Sequence, residues 1–183
     1  MVGYGNTVRG DDGLGPCIVA GLQDVVASCA VEVHTVVVPQ LDVTLAAELT
    51  AVPLVIFVDA REDADEEAVK VQRVFPAALP LTLRHTSHSV GIPDLLRMAL
   101  EWFGARPVCY AVLPKGYAFA FSERLSPNAR RTARQARSKI VEIIRACRSG
   151  SLGIGRTASI ENPDRTPARS CRSPARSTRP RGR

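Results

Sequence analysis

Residues 54–58 are five consecutive apolar residues, Leu-Val-Ile-Phe-Val, and Asp59 follows them directly. A strand that is apolar on both faces must be covered on both faces, which is typical of a central strand in a parallel sheet. This run therefore favours a sheet with helices on both sides. It also places a carboxylate at the carboxyl end of a central strand.

Helical and extended patterns alternate on either side of this strand. Apolar residues at helical spacing predict helices, and β-branched apolar runs predict strands. The predicted helices cover residues 14–27, 43–50, 93–103 and 126–148, and the further predicted strands cover residues 31–38, 69–74 and 108–113. The alternation predicts an α/β protein with a doubly wound, mostly parallel sheet flanked by helices on both faces.

The positive charge of the chain is concentrated at its carboxyl end. The formal net charge is +6, but residues 148–183 contain nine arginines and two acids, whereas the rest contains 15 basic and 16 acidic residues. The first 147 residues are thus nearly neutral, and we expect no nucleic-acid partner for them. The last 36 are rich in Ser, Pro and Arg and poor in apolar residues. We predict a folded domain at residues 1–147 and a disordered tail at residues 148–183.

Cysteine usage and hydropathy favour a soluble cytoplasmic protein. The five cysteines form no C-x-x-C pair, and three of them lie inside apolar runs. Reduced thiols are therefore expected, without a disulfide framework or a zinc site. No apolar run approaches the roughly 20 residues of a membrane span, so no membrane partner is expected. We predict a monomer.

A glycine-rich segment, residues 3–15, precedes the first predicted helix. It reads Gly-Tyr-Gly-Asn-Thr-Val-Arg-Gly-Asp-Asp-Gly-Leu-Gly and holds five glycines and two adjacent carboxylates. Glycines let another group approach the backbone closely, and the helix dipole stabilises acids near a helix start. The segment is either a ligand-binding loop or a turn in which Asp11 or Asp12 caps the helix.

Three polar positions are expected on one rim of the sheet. They are Asp12 in the glycine-rich segment, Asp59 at a strand end, and His88 in a polar loop before a helix. Ligands of such sheets bind outside the carboxyl ends of the strands. Two carboxylates and an imidazole suit a divalent transition metal such as nickel, zinc, manganese or iron. Each residue also has a structural explanation: a helix cap, a strand end and a surface histidine.

Several catalytic and cofactor motifs are missing from the sequence. It contains no G-x-S-x-G, no H-E-x-x-H and no G-x-x-x-x-G-K-[ST], and no cysteine lies beside an obvious histidine partner. The glycine-rich segment also lacks the third glycine of the dinucleotide fingerprint. A hydrolase built on this chain would therefore lack an obvious side-chain nucleophile.

Three segments carry a resemblance to a known family. They are residues 3–15, residues 55–60 (Val-Ile-Phe-Val-Asp-Ala) and residues 86–96 (Thr-Ser-His-Ser-Val-Gly-Ile-Pro-Asp-Leu-Leu). Leu-Ser-Pro at residues 125–127 opens the last predicted helix. In this order and at about these separations, the segments resemble the hydrogenase maturation proteases. The resemblance covers residues 2–147.

The resemblance implies a three-layer, phosphorylase/hydrolase-like sandwich and an aspartic-type, metal-recognising endopeptidase. Such enzymes remove a carboxyl-terminal extension from the large-subunit precursor of NiFe hydrogenase after nickel insertion. The catalytic and metal-contacting residues would be Asp12, Asp59 and His88, with a supporting loop of Gly3, Gly5, Asn6, Gly10, Asp11 and Gly13. The precursor is the expected partner and supplies the nickel. Metal-assisted attack of water on the scissile carbonyl would explain the missing nucleophile.

Two features depart from this family. Only Met1 and Val2 precede the first glycine, where the family has several apolar residues, so a shortened first strand is expected. The arginine-rich tail is foreign to the family, and we expect no contribution from it to the site. The alternative function is a non-enzymatic α/β module that binds a metal or a nucleotide, motivated by the glycine-rich segment and the shortened strand.

Overall fold

The computed structural model describes residues 1–22, 25–26, 31–78 and 90–151; residues 25–26 are helical, and the described ranges contain five strands and four further α-helices. Single turns of 3-10 helix at Gly10–Gly13 and Leu49–Ala51 adjoin the first and second helices. In chain order the elements are β1 (Val2–Tyr4), α1 (Leu14–Ala20), β2 (Val36–Val38), α2 (Leu45–Glu48), β3 (Leu54–Val58), β4 (Val69–Val74), α3 (Ile92–Phe103), β5 (Val108–Pro114) and α4 (Pro127–Arg148).

The five strands form one sheet in the order β2-β1-β3-β5-β4 within the described ranges. Strand β1 pairs in parallel with both β2 and β3, and β3 pairs in parallel with β5. Strand β4 runs antiparallel to β5 at the edge, with Val69 opposite Pro114 and Val74 opposite Cys109. The predicted doubly wound, mostly parallel sheet is confirmed.

Two hydrophobic clusters cover the two faces of the sheet. Successive residues of β3 alternate between them, because strand side chains point to opposite faces in turn. Ile56 and Val58 pack with α1 and α4, whereas Val55 and Phe57 pack with α2 and α3. All four side chains are buried, and Phe57 is fully inaccessible. The sheet is therefore the middle layer of three, as the apolar run at residues 54–58 predicted.

The first strand is short, as expected. Val2–Tyr4 pairs with Val36–Val38 on one side, but on the other side only with Phe57 and Val58 of β3. A groove of about 110 Å³ lies at the amino ends of these strands. Its lining includes Met1, Val33, Leu54, Ile56 and Ile144. Gly3 and Tyr4 belong to the strand itself, so the glycine-rich segment begins inside the sheet.

The two long helices begin where the sequence predicts. The Ser126 side chain accepts a hydrogen bond from the Ala129 amide at 3.1 Å at the start of α4, and Pro127 occupies the first turn. Helix α3 carries Pro93 in its first turn and ends at Gly104, whose φ of 67° is left-handed. Strand β2 is shorter than the predicted 31–38. No helix among the described residues is both long and apolar enough to span a membrane.

Candidate active site

The candidate site lies where the sheet reverses its strand order. From β1 the chain passes through α1 to β2 on one side, while β3 lies on the other side of β1. In open α/β sheets this switch point, outside the carboxyl ends of the strands, is where ligands bind. The glycine-rich segment leaves β1 here, and Asp59 follows β3. Sequence and topology therefore bring Asp12 and Asp59 to one rim.

Close backbone contacts hold the glycine-rich segment on this rim. A Cβ atom at Gly15 would lie 2.4 Å from the carbonyl oxygens of both Tyr4 and Val58. Gly5 has φ of 136°, and a Cβ atom there would lie 2.1 Å from the Asp12 carbonyl oxygen. Only glycine fits either position. These contacts seat the start of α1 directly on the ends of β1 and β3.

Asp12 is partly exposed and takes part in the turn without capping the helix. Its Oδ2 accepts a hydrogen bond from the Asn6 amide at 3.0 Å, and its own amide donates to the Arg9 carbonyl at 3.2 Å. The N-cap residue of α1 is Gly13, and no side chain caps that helix. The alternative in which Asp11 or Asp12 caps the helix is therefore wrong. Among the described residues no hydrogen bond reaches its Oδ1, so that oxygen is open to another interaction.

Asp59 lies beside Tyr4, because Gly3 pairs with Val58 in the β1–β3 register. The Tyr4 hydroxyl and the Ala60 amide donate hydrogen bonds to the Asp59 carboxylate. The pKa of Asp59 is raised to about 6, mainly by burial and to a smaller extent by the charge of nearby Asp12, against the lowering effect of these hydrogen bonds. Two carboxylates thus lie close enough to repel each other at the sheet switch point.

Tyr4 is a part of the site that the sequence analysis missed. Burial raises the pKa of its phenol, and the neighbouring Asp59 carboxylate, which accepts its hydrogen bond, raises it further. Tyr4 therefore stays protonated and remains a donor to Asp59. Its position between two glycines gives no sign of this contact, which becomes visible only once β1 is paired with β3.

Asp11 is fully buried and joins the glycine-rich segment to the loop before α4. Its Oδ2 accepts hydrogen bonds from the amides of Tyr117 and Ala118 at 2.8 and 2.9 Å, and from the Ser126 hydroxyl at 2.8 Å. Its Oδ1 accepts from the Ser126 amide at 2.7 Å. Burial raises the pKa of this carboxyl, but the hydrogen bonds outweigh it and leave the pKa below its ordinary value. Asp11 therefore supports the site by holding the glycine-rich segment against the loop before α4.

Arg61, a second residue that the sequence analysis missed, fixes the chain after Asp59. Its buried guanidinium donates to the Leu113 carbonyl at 3.2 Å, to the Asp63 carboxylate and to the Glu67 carbonyl. Its backbone amide donates to the Pro114 carbonyl at 3.0 Å. Asp59 is thus held between strand β3 and an anchored loop. The charged sequence of residues 61–67 gives no sign of this anchoring.

His88 lies outside the described residues, so the structure places two of the three predicted site residues. Among the residues that it does describe, no three His, Cys, Asp or Glu side chains are grouped closely enough to hold a metal ion. In the predicted metal site Asp12 and Asp59 would provide hard oxygen ligands, and a third donor would have to come from elsewhere. The metal-contacting roles of all three residues stay predictions.

No protein-family model and no curated protein matches the sequence. Solved structures are similar. The NiFe hydrogenase maturation protease HycI from Thermococcus kodakarensis KOD1 superposes with a TM-score of 0.55 at 21% identity, over 78% of this chain and 89% of that one. The hydrogenase maturating endopeptidase HybD from E. coli superposes with a TM-score of 0.55 at 18% identity, over 81% of this chain and 91% of that one.

The hydrogenase 2 maturation peptidase from Thaumarchaeota archaeon SCGC_AB-539-E09 gives a TM-score of 0.52 at 23% identity, over 84% of this chain and 96% of that one. Each likeness extends over most of both chains, and all three structures carry names of the family that the sequence segments resemble. The chain therefore has the fold of the hydrogenase maturation proteases.

Proposed function

We propose that this protein is an endopeptidase that removes the carboxyl-terminal extension of a NiFe hydrogenase large-subunit precursor after nickel has been inserted. The observation that carries the proposal is the pair of carboxylates, Asp12 and Asp59, at the switch point of a sheet with this fold. The structures that share the fold are named as hydrogenase maturation peptidases. The nickel belongs to the precursor and is part of the substrate.

The electrostatics of the carboxylate pair support binding of a cation. The negative charge of Asp12 makes ionisation of Asp59 less favourable, which contributes to its raised pKa. A divalent cation between the two carboxylates would relieve this repulsion and keep both ionised. Tyr4 would hold the Asp59 carboxylate in place through its hydrogen bond. We propose that Asp12, Asp59 and His88 contact the precursor's nickel in this way.

The proposed reaction is hydrolysis of one peptide bond. Water adds to the scissile carbonyl, which is polarised by the nearby cation, and the carbon–nitrogen bond then breaks. One proton of the water passes to the leaving amine and the other is released when the new carboxylic acid ionises, so the products are a shortened subunit with a free carboxylate and a released peptide. This route uses no side-chain nucleophile, in agreement with the missing serine and cysteine motifs.

The direct test is to mix the purified full-length protein with nickel-loaded precursor and to measure the precursor's mass. The wild type is expected to shorten the precursor, whereas Asp12→Ala is expected to leave it intact. Glu142→Ala is a matched control, since Glu142 is an exposed acid on α4 that forms a surface ion pair with Lys139. Nickel-free precursor should remain uncleaved if nickel is required.

Processing that survives the combined loss of Asp59 and His88 would overturn the proposed assignment of the site. The competing function, a metal- or nucleotide-binding module without activity, makes a different prediction. In that case the wild type leaves the loaded precursor intact, and a nucleotide or a divalent metal alone raises the melting temperature.

A further inference from the structure

An exposed apolar surface adjoins the candidate site. Phe121 is 85% exposed, more than any other large hydrophobic residue in the described part of the chain, and Tyr117 and Val8 are 46% and 37% exposed. We call these three residues the apolar rim. Exposed charged residues lie next to it in the chain: Arg9, Glu123 and Arg124. An apolar centre with a charged border is the usual composition of a protein-binding surface.

The backbone under the apolar rim is firmly held. The Ser122 amide donates to the Val8 carbonyl at 3.0 Å, and the Gly10 amide donates to the Ser122 carbonyl at 2.7 Å. The amide of Tyr117 donates to buried Asp11. A side chain on an ordered backbone loses less conformational freedom on binding than one on a mobile loop. The exposure of Phe121 is thus a fixed feature of this surface.

The apolar rim is continuous with the candidate site through short backbone links. Val8 donates its amide to the Asn6 side chain at 3.0 Å, and the Asn6 amide donates to Asp12. Arg9, which forms a bridge with Ser122, accepts a hydrogen bond from the Asp12 amide. Phe121 directly precedes Ser122, so it stands on a loop that is bonded to the segment carrying Asp12.

We infer that the apolar rim is the docking surface for the protein that carries the scissile bond, with Phe121 as its main anchor. The inference rests on the proposed function and adds to it the chemistry of recognition. The occupant is an apolar surface of the large-subunit precursor next to its cleavage site. A buried aromatic anchor adds affinity for the whole substrate and leaves the bond-breaking step unchanged.

The experiment compares KM and kcat for nickel-loaded precursor with the wild type, Phe121→Ser and Phe121→Leu. Truncation of one interface anchor commonly weakens binding by roughly 10- to 30-fold, so Phe121→Ser should raise KM by about that factor with kcat within about twofold. Phe121→Leu, which keeps an apolar side chain, should recover most of the loss. Because residue 121 is exposed, we expect both variants to fold, and circular dichroism checks this.

Phe75→Ser is the matched control. Phe75 is 63% exposed and follows the carboxyl end of antiparallel β4, so it lies at the edge of the sheet opposite the candidate site. The Phe75→Ser variant should have the same KM as the wild type. If Phe121→Ser leaves KM unchanged, or lowers kcat alone, the inference that the apolar rim is a docking surface is overturned. Cleavage by the wild type in the same experiment would still uphold the proposed function.

The same samples are examined by sedimentation. A shift from dimer to monomer in Phe121→Ser without a change in KM would assign the apolar rim to self-association and overturn the inference. A wild type that does not cleave loaded precursor would remove both the proposed function and this inference.

Discussion

At the scale of single residues, one carboxylate holds two distant segments together. Asp11 accepts four hydrogen bonds from Tyr117, Ala118 and Ser126, more than 100 positions away in the chain. Its neighbour Asp12 accepts one from Asn6 and keeps an exposed edge. Two adjacent aspartates thus differ in role because a 3-10 turn points one inward and the other toward the rim.

Asp11→Ala is expected to destabilise the protein by about 3 kcal/mol, because it leaves several buried donors without an acceptor. Since the folded state lowers the pKa of Asp11, its contribution is present above pH 4 and is lost as the pH falls through the folded pKa. The difference in free energy of unfolding between Asp11→Ala and the wild type should therefore become smaller at acidic pH. Urea unfolding at pH 7 and pH 3 measures this.

Asp12→Ala is the control for that measurement. We expect it to lower the free energy of unfolding by less than about 1 kcal/mol, because the Asp12 side chain is partly exposed and accepts one hydrogen bond. Equal losses in the two variants at pH 7 would contradict the separate roles assigned to these aspartates.

Asp59→Asn is expected to stabilise the metal-free protein at neutral pH. The fold raises the pKa of Asp59 to about 6 from an ordinary 3.8, so between these values the folded state binds more protons than the unfolded state. Stability therefore falls as the pH rises through this window, and an amide, which cannot ionise, avoids the loss. We expect a gain of about 1–2 kcal/mol at pH 7.5 that disappears near pH 4.

Urea unfolding in the presence of a chelator measures this difference at the two pH values. A variant that is less stable than the wild type at pH 7.5 would show that the hydrogen bonds from Tyr4 and Ala60 outweigh the cost of burial and repulsion. Stability given up at a site residue is a common cost of function.

The sequence predicted the positions of Asp12 and Asp59 because each follows a pattern that ends at the rim. It did not reveal Tyr4 or Arg61, because their contacts depend on strand register and on a loop packed against β5. Neither register nor loop packing leaves a periodic signal. His88 remains a prediction from sequence, as it lies outside the described residues.

At the scale of elements, glycines set the distance between α1 and the sheet. Gly15 faces the backbone carbonyls of both Tyr4 and Val58, which cannot move aside as a side chain can. Gly15→Ala is therefore expected to cost about 3 kcal/mol or more, through overpacking against backbone. Since α1 carries the turn with Asp12, the proposed activity should fall with it.

Gly21→Ala is the matched control at the other end of α1. An added Cβ atom there would meet the end of the Arg137 side chain, which is flexible. We expect a loss below about 1 kcal/mol in thermal or urea unfolding. A similar cost for both variants would argue against the close approach at Gly15 as the cause.

The elements themselves were largely predictable, and their pairing was less so. Apolar periodicity located the strands at residues 54–58, 69–74 and 108–113 and the helix that begins at Ser126-Pro127. It did not show that β4 runs antiparallel, because the direction of a strand depends on how it is connected to the other strands and not on the local pattern of its residues. It also extended β2 over residues 31–35, of which residues 31–34 line the groove at the amino ends of the strands.

At the scale of the whole molecule, burial and charge are divided along the chain. The two core clusters that cover the sheet draw on residues from Val2 to Ile144, and α4 ends at Arg148. The net positive charge comes from the arginines beyond that helix. This division separates the part that builds the candidate site from the part that gives the chain its basic character.

Deletion of residues 152–183 is therefore expected to leave the melting temperature within about 2 °C of the full chain and to leave processing of the precursor unchanged. Residues 149–151, whose backbone amides donate the last hydrogen bonds to carbonyls of α4, are kept. Because the deletion removes eight arginines and two acids, the shortened protein should lose its salt-sensitive retention on a cation-exchange column. A fall of more than about 5 °C would show that the last residues support the core, since that is a stability loss on the order of 1 kcal/mol.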